Sequence, residues 1–276
     1  GEPFIGPAGR TLTAGLAKAE IVRGGCWIGN VICCRPPSNN IECYEAVEAI
    51  KCCREGFLNE LSFLKALRVL LPTGNTSLEA LTGERGITKL RGSVFEFGKE
   101  AVVPTFHPRY IQEQWHMWDV WVADFMKAKS IVRSGWNKPE ENFIIEPTFL
   151  EAVSAIEIAI DCEFLVAVDT ENTSLNPEIA QIYTIALGFT AEKAICIPIY
   201  SQGWHKYWTH DEWFKIHDLL VTLFKENPLL FQNAKYDMRV LRANAIWLSS
   251  PDITDIMLLH HSIHPELPHD LGFIVS

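Results

Sequence analysis

Acidic residues in the second half of the chain are spaced as a cation site would require. Asp169 and Glu171 follow the apolar run 166–168, and side-chain alternation along a β-strand sends both carboxylates to one face. Two like charges so placed need a cation. Farther along, Asp237 follows Asn233 by about one helical turn and supplies a third oxygen ligand. The spacing therefore predicts a cation held by oxygen atoms.

The first half offers weaker chemical signals. Residues 1–9 combine three glycines with proline, a composition typical of a tight loop that approaches a ligand closely. His107 follows an apolar segment and precedes Pro108, which places the imidazole at the carboxyl end of a predicted strand. Ligands of open α/β sheets gather at that end. An ordinary structural role, such as a helix cap for His107, stays open.

Cysteines form the third candidate group. The chain has eight, and six of them fall between Cys26 and Cys53. Eight cysteines are too few for a disulfide scaffold in a chain of 276 residues. Two interpretations therefore remain: metal chemistry, or burial of free thiols, which are among the most buried side chains.

The elements that would position these residues in the first half alternate as in an α/β domain. Proline at positions 36 and 37 ends the first predicted strand, and apolar residues three and four apart indicate the helix. The predicted elements are a buried strand at 26–34, a helix at 41–67, a strand at 69–71, two strands within 92–106 and a helical packing face over 110–132.

The second half predicts a strand meander flanked by helices. Thr209 and Glu212 have the spacing of a capping box, which marks the start of a helix. The predicted elements are a helix at 148–160, strands at 164–169, 182–189, 194–199 and 229–232, and helices at 209–225 and 234–245. Residues 134–147 hold glycine, two prolines and no periodicity, so we predict domains at 1–133 and 148–276 joined by this linker.

Composition agrees with two globular domains. The chain has 276 residues, 48% of them hydrophobic, and no apolar run near the roughly 20 residues that span a bilayer. The beginning of the chain lacks the profile of a signal peptide, so a cytoplasmic address is expected. Residues 1–140 carry a net charge of +2 and residues 141–276 one of −12, giving −10 in total. An acidic domain repels phosphate unless metal ions or a partner domain invert its field.

The carboxylate segments carry a family resemblance. Residues 169–177, the isoleucine-rich strand after them and residues 251–258 closely resemble the 3′–5′ proofreading exonuclease domain of family A DNA polymerases, in the ribonuclease H-like DEDD superfamily. The match covers roughly residues 148–276 and implies a mixed-sheet α/β domain.

This resemblance implies roles for five residues. Asp169, Glu171 and Asp237 would hold two Mg²⁺ or Mn²⁺ ions. Asn233 would position the second motif, and Leu175 would wedge near the terminal base. The family's third motif and the polymerase domain are expected after the present chain, which would then be a fragment. Asp255 and Asp270 do not replace that motif, since neither follows a tyrosine or histidine at the expected spacing.

The first half resembles another family. Residues 1–9, 29–37, 90–92 and 104–110 together resemble the iron–sulfur uracil-DNA glycosylases of the family 4 type, over roughly residues 1–130. The resemblance implies a three-layer α/β/α sandwich. Phe4 would stack on an extruded uracil, Asn30 would read its polar edge, and His107 would stabilise the oxygen that becomes negative as the glycosidic bond breaks.

The same resemblance implies an iron–sulfur role for some cysteines. Cys34 would be one ligand of a 4Fe–4S cluster, and Cys53 another in preference to Cys52. The remaining two ligands and the water-activating acid are expected upstream of Gly1, so we expect Cys34 and Cys53 to approach each other without a disulfide.

Together these features predict a DNA replication and repair protein of a bacterium or bacteriophage. It would combine uracil recognition or excision with metal-dependent 3′–5′ hydrolysis in a longer polymerase, act on single-stranded or extruded nucleotides, and reside in the bacterial or infected cytoplasm. Two alternatives stay open: a non-catalytic DNA-binding or polymerase-partner module with a degenerate glycosylase half, and an autonomous nuclease.

Overall fold

The computed structural model describes residues 3–34, 36–41, 43–138, 140–161, 164–201, 203–250 and 252–275. The chain forms two compact units. The first contains Gly1–Asn137 and Glu266–Ser276, and the second contains Lys138–Pro265. Both units mix helices and strands, so the predicted two-domain α/β class is confirmed. Within the described residues, no helix is both long and apolar enough to cross a membrane.

The first unit consists of a small sheet surrounded by helices. Strands and helices are numbered in order along the whole chain. Its strands are β1 (Val69–Leu70), β2 (Phe95–Phe97) and β3 (Glu100–Val102). The sheet order is β1-β3-β2, with β1 parallel and β2 antiparallel to β3. The helices are α1 (Pro7–Lys18), α2 (Tyr44–Ser62), α3 (Asn75–Thr82), α4 (Ile87–Leu90), α5 (Pro108–Glu113), α6 (Trp118–Ser134) and, from the end of the chain, α11 (Leu271–Val275).

The strand predicted over residues 26–34 is wrong. In the described part of this segment the backbone has no ladder partner, and most side chains are exposed, Val31 being buried. Its residues contact α2 instead, because the Trp27 ring lies 6.3 Å from that of Phe57 and the Trp27 indole donates to Glu60 at 3.3 Å. An apolar, β-branched run favours a strand only where a neighbouring strand satisfies its backbone groups.

The core of the first unit forms where α1 crosses α6. Gly15 permits this approach, since a Cβ atom there would lie 2.5 Å from the Trp121 ring. The Trp121 indole is fully buried and donates to the carbonyl of Phe106 at 2.9 Å. Leu267 and Phe273, near the end of the chain, are buried in the same cluster. The core of this unit is therefore assembled from both ends of the chain.

A buried ion pair lies beside this core. The Arg91 guanidinium donates to Asp124 at 2.6 Å, and both side chains are almost completely buried. The Thr105 hydroxyl donates to the other carboxylate oxygen of Asp124 at 2.7 Å. On the Arg91 side, the guanidinium carbon lies 5.5 Å from the centre of the Phe273 ring. Burial raises the pKa of Asp124, and Arg91 and Thr105 oppose that rise.

The second unit contains a six-stranded mixed sheet. Its strands are β4 (Asn142–Ile144), β5 (Val166–Asn172), β6 (Ile182–Gly188), β7 (Lys193–Pro198), β8 (Leu229–Phe231) and β9 (Ile253–Asp255), and its helices are α7 (Phe149–Asp161), α8 (His210–Glu226), α9 (Ala234–Ala243) and α10 (Ile256–Ile263). The sheet order is β4-β7-β6-β5-β8-β9. Strand β6 alone among these six runs opposite to the others. The carboxyl ends of the other five strands therefore lie at one edge, here called the carboxyl edge.

Local sequence patterns explain much of this unit. The meander predicted from three successive strands is confirmed as β5, β6 and β7. The capping box that starts α8 is also confirmed, since Thr209 and Glu212 exchange side-chain and backbone hydrogen bonds. The segment predicted as a linker, 134–147, contains strand β4 of this sheet.

Candidate functional site

Asp169 and Glu171 lie on the exposed face at the end of β5. Val168, just before Asp169, and Thr170, between the two acidic residues, are buried, as the alternation of a strand requires. Across the ladder, Asp169 pairs with Ala186 and Glu171 with Thr184. Directly paired residues share a face, so small neighbours leave the two carboxylates open to a ligand.

Asp237 enters the site from the first turns of α9. Its side chain is buried, and the Thr170 hydroxyl donates to its carboxylate at 2.6 Å. Burial raises the pKa of Asp237, and the negative charge of Asp169 raises it further. The two carboxylates are thus close enough to repel each other, and a divalent cation between them would relieve this repulsion. The oxygen donors fit a hard cation such as Mg²⁺.

Asp255, at the end of β9, fixes the start of α9. Its carboxylate accepts the backbone N–H groups of Asn233 and Ala234 at 3.0 and 2.9 Å, and that of Met257 at 2.9 Å. Asn233 has a left-handed backbone (φ +61°), and its own side chain makes no capping hydrogen bond. Asp255 therefore replaces the usual cap on α9 while capping α10. Sequence reasoning missed this role because the cap comes from a distant strand.

Replacing Asp255 with alanine should destabilise the second unit by about 2 kcal/mol, since two helices lose their N-terminal acceptor. Asp255→Asn, which keeps one acceptor oxygen, should cost less than half of this. Urea unfolding monitored by circular dichroism measures both effects. Equal midpoints for Asp255→Ala and the wild type would contradict the proposed cap.

Leu175 stands in solvent on the loop after β5, with 95% of its side chain exposed. Helix α9 holds this loop. The Tyr236 hydroxyl lies 2.6 Å from the carbonyl oxygen of Ser174, and Arg239 pairs with Glu178 at 2.7 Å. A leucine displayed on an anchored loop is suited to contact a base, and Tyr236, which sequence reasoning did not select, positions it.

In the first unit, the structure brings Phe4 and His107 together. Their ring centres lie 5.5 Å apart. Arg23 holds the loop that carries Phe4, because its guanidinium donates to the carbonyls of Phe4 and Gly9 at 3.0 Å each. Sequence reasoning missed Arg23. The Asn30 side chain is exposed on another segment, and its approach to the two rings stays a prediction.

His107 caps α5 and thereby has a defined tautomer. Its Nδ1 accepts the backbone N–H of Arg109 at 3.1 Å, so the proton of the neutral ring is on Nε2. Partial burial lowers the pKa of His107, and the positive charge of Arg109 lowers it further. At neutral pH the ring is therefore uncharged and offers an Nε2–H donor. The structural role as a cap and a chemical role are compatible.

The described cysteines are not grouped as metal ligands. Cys33, Cys34 and Cys52 are exposed and Cys53 is half-buried, and all four thiols are free. In the described ranges, no three His, Cys, Asp or Glu side chains are grouped so as to hold a metal ion. The predicted approach of Cys34 to Cys53, and the convergence of Asp169, Glu171 and Asp237 as a ligand set, stay predictions.

Two protein-family models match the chain, one in each half. Residues 1–129 match the uracil DNA glycosylase superfamily, and residues 144–276 match a 3′–5′ exonuclease family of DNA polymerase A type. The type-4 uracil-DNA glycosylase of Thermotoga maritima is 33% identical over 138 residues, which cover 48% of this chain and 70% of the relative. That of Archaeoglobus fulgidus is 29% identical, over 46% of this chain and 66% of the relative.

The DNA polymerase of Bacillus phage SP01 is 26% identical over 218 residues. This match covers 70% of the chain and 23% of the polymerase, so the chain spans about a quarter of that relative. It is longer than either family match and therefore extends into both. By these matches the chain belongs, through residues 1–129, to the uracil DNA glycosylase superfamily, and it carries a polymerase-type 3′–5′ exonuclease domain over residues 144–276.

Proposed function

We propose that this protein processes DNA at two sites, recognising or excising uracil in the first unit and hydrolysing single strands from the 3′ end in the second. The observation that carries the proposal is the open carboxylate pair on β5 beside the buried Asp237, in a chain whose two halves match two DNA-processing families. The protein's partner is DNA. A polymerase domain follows in the full-length protein, which works in the cytoplasm of a bacterium or an infected host.

In the exonuclease site, Asp169, Glu171 and Asp237 would hold Mg²⁺ or Mn²⁺. When bound, the ions supply an activated water and neutralise charge on the leaving 3′ oxygen. Thr170 orients Asp237 through its hydroxyl. Leu175 contacts the terminal base and separates it from the base that precedes it in the strand.

In the glycosylase site, Phe4 stacks on an extruded base and Asn30 hydrogen-bonds its polar edge. The Nε2–H of His107 donates to the uracil oxygen that gains negative charge as the glycosidic bond breaks. A neutral imidazole suits this task because it needs no counter-charge in the ground state.

Cys34 and Cys53 are the residues that would belong to a 4Fe–4S cluster. Such a cluster needs four thiolates, and the described cysteines do not form a group of even three ligands. The residues present therefore do not complete a cluster site, and no chemical step depends on one. Stoichiometric iron and visible absorption in the full-length protein would assign these thiols to a cluster; their absence would leave them as surface thiols.

Uracil release by the full-length protein should be independent of pH down to about pH 6.5, because the pKa of His107 lies below the usual histidine value. In more acidic buffer it should fall, since a proton on Nδ1 removes the acceptor of the Arg109 N–H and releases the ring from its position. His107→Gln should lower the rate about 10²- to 10³-fold, the effect of losing one preorganised donor. The measurement is the pH profile of uracil release from a single-stranded uracil oligonucleotide.

The outcomes separate three readings. A profile that falls well above pH 6.5 would contradict the neutral His107. Retained binding of the uracil strand without any release would favour a non-catalytic DNA-binding module. Release that is unaffected by His107→Gln would remove this residue from the site.

A further inference from the structure

Three aromatic rings form a cluster on the second unit that the proposed carboxylate site does not use. The ring centres of Tyr183 and Trp204 lie 4.6 Å apart, those of Tyr200 and Trp204 lie 5.5 Å apart, and those of Tyr183 and Tyr200 lie 6.3 Å apart. These three residues are called the aromatic cluster below. Its rings are packed edge to face or tilted against one another, so the two tyrosine rings hold the Trp204 ring in place.

Strand register places the aromatic cluster at the carboxyl edge. Ile182, just before Tyr183, pairs with Asn172 at the end of β5. Tyr200 follows the end of β7, and its backbone N–H is bonded to the carbonyl of Tyr183. Strands are about 4.8 Å apart, so β7 lies about 10 Å from β5. The aromatic cluster and the carboxylates therefore share one edge of the sheet, within the reach of a few nucleotides.

Trp204 is held toward solvent by a strained turn. It is 48% exposed, and its φ of +66° belongs to the left-handed region that bulky residues rarely adopt. Ser201 closes the turn, because its N–H donates to the carbonyl of His205 at 2.8 Å and its carbonyl accepts the N–H of Trp204 at 3.2 Å. Core packing alone would bury the indole. A strained backbone that keeps a large ring in solvent indicates a binding role.

The net charge of the second half of the chain indicates which kind of contact it can make with DNA. Residues 141–276 carry a net charge of −12, so this half of the chain does not attract phosphate through its net charge. Stacking of bases on aromatic rings needs no positive charge and accepts every base. We propose that the aromatic cluster, with Trp204 as its outer surface, stacks bases of single-stranded DNA a few nucleotides from the 3′ end in the exonuclease site. This proposal rests on the proposed function, because that site defines where the strand ends.

The test measures binding without hydrolysis. Fluorescence anisotropy of the full-length protein in EDTA is recorded with a labelled single-stranded oligothymidylate and with an abasic strand of equal length and charge. Trp204→Ala should weaken binding of oligothymidylate about 5- to 150-fold, the range for loss of one stacked base. Binding of the abasic strand should not change, and Trp204→Phe should restore most of the affinity.

Trp247 provides the matched control. It is 56% exposed in the same unit, but it follows α9 and precedes β9, so it lies near the amino end of β9, at the edge opposite the aromatic cluster. There the Arg242 guanidinium lies 5.2 Å from the indole centre. Trp247→Ala should leave oligothymidylate affinity unchanged. Because any general effect of losing an exposed indole appears in both variants, a difference between them isolates the position of Trp204.

Equal affinities for Trp204→Ala and the wild type, or equal losses in the Trp204 and Trp247 variants, would overturn the proposal. So would an equal loss on the abasic strand, since that contact would not involve a base. These results are independent of catalysis. If the protein hydrolyses DNA and Trp204→Ala leaves its affinity for DNA unchanged, only the stacking site is refuted. If binding depends on Trp204 but no Mg²⁺-dependent hydrolysis occurs, only the exonuclease activity is refuted.

Discussion

Replacing Asp169 with alanine is expected to abolish Mg²⁺-dependent 3′–5′ hydrolysis of single-stranded DNA by the full-length protein. Asp169 is exposed beside Glu171, and its negative charge raises the pKa of Asp237. We propose that metal ions are shared among these three carboxylates. Loss of a shared ligand removes several kcal/mol of charge stabilisation, or about 10³-fold or more in rate. The measurement is the shortening of a single strand labelled at its 5′ end, with and without Mg²⁺.

Asp218→Ala is the matched control, because Asp218 is an exposed aspartate on α8 and its removal changes the net charge of the protein equally. Its rate should equal that of the wild type. Residues 1–276 alone should degrade DNA poorly, since we propose that a fourth carboxylate comes from the third motif of the full-length protein. Full activity of the full-length Asp169→Ala variant would show that the catalytic site is assigned wrongly.

The largest expected effect on stability comes from Arg91. Arg91→Met should destabilise the first unit by about 3–5 kcal/mol, because it leaves Asp124 charged, buried and without its ion partner. Arg91→Met combined with Asp124→Leu should recover most of this loss, since two apolar side chains leave no unpaired charge. Urea unfolding followed by tryptophan fluorescence measures the three free energies of unfolding.

The exposed pair of Arg85 and Glu79 is the comparison. Its atoms approach to 2.7 Å, close to the separation in the buried pair, but both side chains are well exposed. Arg85→Met should therefore cost at most about 1 kcal/mol. If Arg91→Met costs no more than Arg85→Met, the buried pair does not stabilise the first unit.

Local patterns predicted those parts of the fold in which neighbours in sequence decide the structure. The capping box at Thr209 fixed the start of α8, and two-residue alternation placed Asp169 and Glu171 on one exposed face. Both depend on residues within one turn or one strand. The sequence signal is strong there because geometry of a single element is sufficient.

Contacts between distant segments were not predictable in the same way. The hydrogen bond from Thr170 to Asp237 and the capping of α9 by Asp255 each join residues that are far apart in sequence. The segment 26–34 shows the converse. Its apolar pattern predicted a buried strand, but in the described structure the segment has no ladder partner and most of its side chains are exposed. Periodicity identifies a face but not what covers it.

The burial of Leu267 and Phe273 in the core of the first unit makes that unit discontinuous in sequence. During synthesis, its earlier residues must wait for the second unit to be translated before their core can close. Closure over so long a loop is entropically slow, and the apolar surface stays uncovered meanwhile. We therefore expect residues 1–137 to complete their core only after residues 266–276 have been synthesised.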